Sequence, residues 1–478
     1  MKSSPILYIE IVACAVAFLI SIVFTLKPVR LFSNVWISMA TAPLLSVALL
    51  LALGVINFGN VWTAIKGDDY LKPYTIIILF QSLAYLCLSM DETGVLKALS
   101  LAMVARAGAS YMKLFSYIFL LASLLTVFTS NDIVILTMTP IICHLAKDTE
   151  LDPEPLLFVQ FTAANTLSII FFFSNPTNIV VSDAFRLTFW SYLQWMFLPT
   201  VAAGIALFAS LFLIYRKQFK IQQEILCLAH NPLAFEIERK DVIPDKTLAA
   251  TSVGIFSVCL TGIVFAPLIG IDAWIPPLIC GGLMLAVDMA HDIRQSYPKL
   301  KFKRVRKVCE NVPFSVTPFV FGMFILVETL NVIKLTGPVS TFLARSCAAN
   351  GVAFTVFWML FLSMLFCNVI NNQPMTILFV SIIKHDAFQS TLMSLVSANE
   401  TQKLVKAAMF AIVMGSNFGA NITFIGSLAG ILWKTILSAS FSLEVSQRTF
   451  FKVGSFCMLC VGICSGLTLM IELYLDTI

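Results

Sequence analysis

Between Phe189 and Tyr215 the chain runs without a single Asp, Glu, Lys, Arg or His. At 1.5 Å of rise per residue that run makes a helix of about 40 Å, longer than the ~30 Å hydrocarbon core of a bilayer. In lipid only a helix or a closed barrel satisfies its own backbone polar groups, so the segment has few homes. It has company. Ile6–Leu26, Val35–Ile56, Pro73–Met90, Leu156–Val181, Leu248–Leu268, Trp274–Ala290, Val316–Ile333, Ala407–Trp433 and Val453–Leu473 are apolar over comparable lengths. Continuous apolar runs, rather than alternating residues, exclude a β-barrel. Only 12% of residues are charged, against about 25% in a soluble domain, which excludes disordered, disulfide-rich secreted and soluble nucleic-acid-binding proteins. The expected fold is an all-α polytopic membrane protein. Ile6–Leu26 ends at Lys27-Pro28 with no small-residue cleavage site, so it is expected to be a retained helix in a multi-pass plasma-membrane protein.

Two further apolar regions are interrupted. Leu114–Leu145 breaks at Ser130-Asn131-Asp132, and Val352–Ile383 breaks at Asn371-Asn372-Gln373-Pro374. Arms of about 10–16 residues are too short to span, which predicts re-entrant hairpins at 113–147 and 352–385. With both hairpins re-entrant, most of the 31 Lys and Arg fall on one side, including Arg294, Lys299, Lys301, Lys303, Arg304, Arg306 and Lys307. By the positive-inside rule that side is cytoplasmic. Counting the arms as true spans preserves the same bias, so charge alone leaves the span number open.

An internal repeat favours the hairpins. Asn165 aligns with Asn417 at an offset of 252, and Ser130-Asn131-Asp132 aligns with Asn371-Asn372-Gln373 at an offset of 241. The chain then divides into a first repeat (1–215), a cytoplasmic linker (216–247) and an inverted second repeat (248–478), each of about five spans plus one hairpin. Inverted repeats with broken helices in matching places are the pattern of secondary transporters. No cofactor box or metal-spaced His/Cys set is present, so neither an enzyme nor a cofactor is expected.

The polar residues in these breaks are the candidate site. In the first half they are Ser130, Asn131, Asn165, Ser174, Asn175 and Thr177; in the second, Asn371, Asn372, Asn417, Thr423, Gly426 and Ser427. Pro176 would break an intact helix, and the glycines around Asn417 allow close backbone approach. Half-helix ends at mid-depth expose N–H groups to oxyanions and carbonyls to cations or hydroxyls. The bland alternative is that Asn, Ser and Thr simply hold helices together. Asp132 is the one acid expected at membrane depth and the candidate proton carrier, with a permanently paired or helix-capping Asp as its alternative. Cys457, Cys460 and Cys464 share a helix face, and small-residue packing explains them better than a metalloid trap.

At these residues the chain resembles the arsenite/antimonite permeases of the ion-transporter superfamily. That superfamily also holds the melanosomal P protein, sodium/proton antiporters and dicarboxylate/sodium symporters. The matching stretches are Ser89-Met90-Asp91-Glu92-Thr93-Gly94, Ser130-Asn131-Asp132, Ser174-Asn175-Pro176-Thr177-Asn178, Asn371-Asn372-Gln373-Pro374 and Ile425-Gly426-Ser427-Leu428-Ala429. Two places depart from the family pattern: Phe424 stands where it has Pro, and Asn421 where it has Lys. The resemblance implies alternating access and export of neutral arsenite or antimonite, driven by protons or by a soluble ATPase partner. The partners expected are that small inorganic solute, protons, membrane lipids and, among proteins, an ATPase or a second copy in a homodimer; nucleic acid is not expected. A sodium/proton antiporter or dicarboxylate-like anion transporter on the same fold is the alternative, and a non-transporting membrane scaffold a third. A site of neutral donors and acceptors with one acid suits a neutral polyhydroxy solute better than a dianion.

Overall fold

Thr41-Ala42-Pro43 fixes a helix start where the sequence suggested mid-span, because proline at the first positions is pre-set for a helix and needs no N–H partner. The expected span Val35–Ile56 is therefore two pieces. A short antiparallel ribbon pairs β1 (Val29–Phe32) with β2 (Val35–Ile37), and α2 (Ala42–Ala52) is only 11 residues long. The computed structural model describes residues 4–26, 29–32, 35–67, 72–229, 242–296 and 301–476. Lys27, Lys299 and the centre of the expected 216–247 linker lie outside the described residues.

Apart from that ribbon the described chain is helical. The first elements are α1 (Ser4–Leu26), α3 (Phe58–Lys66), α4 (Pro73–Glu92) and α5 (Val95–Ala107). Next come α6 (Tyr111–Phe128), α7 (Asn131–Thr149), α8 (Glu154–Leu167), α9 (Pro176–Ala184), α10 (Phe189–Tyr215) and α11 (Phe219–Ala229). The later ones are α12 (Lys246–Phe265), α13 (Ile275–Ser296), α14 (Lys303–Asn311), α15 (Val316–Val332), α16 (Thr336–Ile370) and α17 (Asn372–Lys384). They end with α18 (Asp386–Leu395), α19 (Ala398–Gly419), α20 (Leu428–Phe441) and α21 (Gln447–Leu475). Eight helices among the described residues are long and apolar enough to cross a membrane.

The interrupted regions fold back on themselves. α6 and α7 have 18 and 19 residues, longer than the arms expected, because the helix continues past the apolar run to Tyr111 and Thr149. Their far ends nevertheless meet the same element. The Tyr111 N–H donates to Gln223 Oε1 (2.8 Å) and the Asp152 N–H to Gln222 Oε1 (3.0 Å), both on α11. α16 bends at Gly351, whose φ of 76° only glycine adopts without strain, and returns through α17. Ser340 Oγ, before the bend, donates to the Ile382 carbonyl near the end of α17 (2.9 Å). Lys384 at that end sits over the Phe185 ring, just past α9, and so opposite the α11 face. The α11 face carries Arg216, Lys217, Lys220, Lys434 and Lys452 and is the basic face.

Two helices are broken in mid-course. α8 stops at Leu167, passes through tight turns at Ser168–Ile170 and Phe172–Ser174, and resumes as α9. α19 stops at Gly419, turns at Phe424–Gly426 and resumes as α20. Each restart is capped: Asn175 Oδ1 accepts from the Thr177 N–H (3.1 Å), and Ser427 Oγ from the Gly430 N–H (3.2 Å). An aromatic cluster of Phe158, Phe161, Phe424, Trp433 and Phe450 packs the two breaks' surroundings together, with Phe424 and Phe450 centroids 4.2 Å apart. α21 passes close to the second break at Gly454, where a Cβ would collide with the Asn421 carbonyl oxygen.

The stretch Arg294–Lys307 is not uniformly a solvated loop. Arg304 turns inward, and its Nε donates to Asp288 Oδ1 (2.7 Å), with the two side chains 11% and 0% exposed. Asp288 also accepts from Tyr85 and Ser89 of α4 (2.9 and 2.7 Å), while Asp292 caps α14 through the Arg304 and Val305 N–H groups. Lys307 pairs with Glu92 at 2.6 Å. Asp245 caps α12 through the Leu248 N–H, and such bonds hold its carboxyl below the usual range.

Candidate functional site

Asn417 sits at the end of α19 where that helix breaks, fully buried and within reach of the first broken helix. Its Oδ1 accepts from Asn175 Nδ2 and Ser168 Oγ, both at 2.8 Å. Its Nδ2 donates to Asn178 Oδ1 (2.7 Å), and Asn178 Nδ2 in turn reaches the Ser168 and Phe171 carbonyls (2.8 and 3.3 Å). Ser416 Oγ donates to Thr177 Oγ1 at 3.2 Å. The unwinding of 168–175 is what frees these carbonyls, and the Asn178 side chain satisfies them. Six side chains, each at most 2% exposed, thus form one node of neutral donors and acceptors.

The hairpin tips hang from this node, each on the broken helix of its own half. Asn131 Nδ2 donates to Asn165 Oδ1 (2.9 Å), and Ser174 Oγ to the Val127 carbonyl (2.7 Å). In the second half Asn371 Nδ2 donates to the Ile425 carbonyl (3.0 Å). Asn368 links the Gly419 carbonyl (3.2 Å) to the Thr423 hydroxyl (2.6 Å). Asn371 holds φ 74°, ψ 154°, a region nearly restricted to glycine, which costs on the order of 1–3 kcal/mol. Gly426 fits there because a Cβ would meet the Gly419 carbonyl oxygen at 2.6 Å.

Of the residues singled out by sequence, Asn175, Thr177 and Asn417 meet in the node, and Asn131, Asn165 and Ser174 tie the first hairpin to it. Asn371, Thr423 and Gly426 form the second-half cluster. Ser130 and Ser427 cap α7 and α20, and Asn372 is buried at the α17 start without a side-chain bond among the described residues. Asp132, 8% exposed, makes no hydrogen bond or ion pair among the described residues, and Ser130 rather than Asp132 caps the helix. Ser168, Asn178 and Ser416 complete the node: Asn178 ends the Ser174–Asn178 stretch, and Ser168 and Ser416 lie close in sequence to Asn165 and Asn417. Asn368 went unnoticed; the signal was an Asn one helical turn before the Asn371 tip in an otherwise apolar run. Cys457 is buried, Cys460 half-buried and Cys464 exposed, so the three thiols do not converge. Among the described residues no three His, Cys, Asp or Glu are placed to hold a metal.

The sequence has relatives among known proteins. The profile of the citrate transporter family matches residues 9–399. The chain belongs to the citrate transporter family. It is 25% identical over 417 residues to the arsenical pump membrane protein of Escherichia coli, covering 86% of this chain and 88% of that one. It is 22% identical over 403 residues to the putative arsenical pump membrane protein of Bacillus subtilis, covering 81% and 85%. These relatives agree with the resemblance read from the motifs. Among solved structures it is similar to the Alcanivorax borkumensis YdaH transporter, at 12% identity over 98% of both chains and a TM-score of 0.46. The protein is an integral, multi-pass membrane transporter and not an enzyme, which removes the scaffold alternative.

Proposed function

We propose that the chain exports a small neutral hydroxide of the arsenite/antimonite class, exchanging it for protons by alternating access. The solute site is the node around Asn417 with the two hairpin tips, Asp132 is the proton carrier, and 1–215 and 248–478 are inverted halves joined by 216–247. The observation that carries this reading is the chemistry of the node: amides and hydroxyls from both broken helices, without a Lys, Arg, Asp or Glu among its six members. A neutral trihydroxide both donates and accepts hydrogen bonds and needs no countercharge, so it can replace these internal bonds one for one. The names of the bacterial relatives point to the same solute class. A carboxylate buried at the hairpin tip supports proton exchange as the driving force, without the soluble ATPase.

The family description favours a second reading, export or import of citrate. A polyanion held at mid-depth would need cationic groups or coupled cations, and the node supplies neither. The deciding assay is efflux from cells lacking their own arsenite exporters, with arsenite, antimonite, citrate and sodium compared. Arsenite and antimonite efflux is expected; citrate or sodium flux alone would replace the reading. In everted vesicles Asp132→Asn is expected to lose uptake driven by a pH gradient. Full proton-driven uptake by that variant would remove Asp132 from the coupling.

A further inference from the structure

On the face opposite α11, a cavity of about 450 Å3 lies between the start of α4, the end of α9 and the α12–α13 connection. Its rim carries Lys72, Asp183, Arg186 and Asp272. Charges of both signs mark a water-facing mouth, because such groups are costly against hydrocarbon. Its buried floor includes Phe172 and Ile179, each 3% exposed. Both are chain neighbours of the node. Phe172 follows Phe171, whose carbonyl accepts from Asn178 Nδ2, and Ile179 follows Asn178 itself. The floor is therefore the back of the same unwound turn that presents Asn175, Thr177 and Asn178 to Asn417.

Asp183 holds one wall in place. Its Oδ2 accepts from the Lys72 N–H and from Thr75 Oγ1, both at 3.3 Å. A carboxylate at the start of α4 is favoured by the helix dipole, and here it comes from α9 rather than from the capping residue. The end of the broken helix is thus pinned to α4 across the mouth. A second cavity of about 460 Å3 lies between α3, α15 and α17, but none of its lining residues adjoins the unwound turn of the node in the chain.

We propose that the 450 Å3 cavity is the outer vestibule of the transport path, with Phe172 and Ile179 as its inner gate and Asp183 setting its width. The proposal rests on the node being the solute site. The volume is many times the ~30 Å3 share of one water, so the vestibule admits a small hydroxide with its hydration shell and does not itself select. Selection falls to the node beyond the gate.

The test uses Ala273→Cys at the rim, and Ile179→Cys or Phe172→Cys at the floor, in the otherwise native chain. The parent's 12 cysteines set the background. Added outside intact cells during turnover, a small membrane-impermeant thiol reagent is expected to modify rim and floor cysteines above that background. A bulky adduct at Ala273→Cys is expected to stop solute flux while leaving parent flux unchanged. Labelling at the rim but at neither floor position would overturn the proposal, as would full flux with the bulky adduct in place. A parent that moves no arsenite would sink the substrate reading alone, because floor labelling still decides the vestibule.

Discussion

Asn417 concentrates more hydrogen bonds on one buried amide than any neighbour in the node, so its loss weakens several bonds at once and strands the Asn175 amide. In Asn417→Ala, the amide of Asn175 loses its acceptor, the Ser168 hydroxyl keeps only the Asn165 carbonyl, and the Asn178 oxygen keeps only the longer bond from Thr177 Oγ1. Each stranded group costs about 1–3 kcal/mol, so a fall of that order or more in unfolding free energy is expected, read as thermal stability in detergent. Thr166→Ala is the control: it removes one bond from Asn421 at the edge of the node and should cost less. An equal loss from both variants would mean that Asn417 is not the hub. The repeat that aligns Asn165 with Asn417 made the right turns legible in the sequence, because asparagines inside apolar runs are conspicuous. What it could not show is which asparagines face each other. Asn165 bonds to the Asn131 tip, whereas its repeat mate Asn417 bonds across the halves, and that asymmetry depends on rotamers and on where each helix unwinds. The strained backbone of Asn371 was equally invisible, since the partner of its side chain, the Ile425 carbonyl, lies 54 residues away in the chain.

Element boundaries were legible where a strong local signal set them. α10 runs from Phe189 to Tyr215 as its uncharged run predicts, and Pro176 and Pro374 stand at the starts of α9 and α17. The failures came where partners are distant. α14 looks like part of a basic loop because its sequence is dominated by Lys and Arg, but Arg304 is claimed by Asp288 of α13 and by the Ser89 carbonyl of α4 (2.5 Å). This makes α14 a strap across the basic ends of α4 and α13. Removing one partner of a buried pair leaves the other charge uncompensated, which costs about 3–5 kcal/mol. Arg304→Met should therefore destabilise the protein by roughly that amount, and adding Asp288→Asn should recover much of it. A double-mutant cycle of thermal unfolding measures this; a double variant no more stable than Arg304→Met would show that the strap does not depend on the pair. Arg306→Met on the same helix is expected to change little, because its Glu310 pair is exposed and screened by water.

At the scale of the whole molecule the issue is which face each hairpin enters from. The ends of α6 and α7 both meet α11, on the basic face, whereas the end of α17 lies against Phe185 at the far end of α9. Because α10 is one continuous helix between those two ends, the hairpins approach the node from opposite sides. Positive-inside then places Lys147, in the last turn of α7, in the cytoplasm and Asp386, after α17, outside. Both positions are exposed, so cysteine there should not disturb packing. Intact cells treated with an impermeant thiol reagent should label Asp386→Cys and spare Lys147→Cys, and everted vesicles should reverse the pattern. Labelling of both from one side would make the hairpins parallel and would rule out inverted halves, whatever the solute. Opposite labelling would give the node a geometric meaning. A site built by two hairpins entering from opposite faces, and joined through one asparagine, can be exposed to either side by moving one hairpin, while the other keeps its hold on the solute.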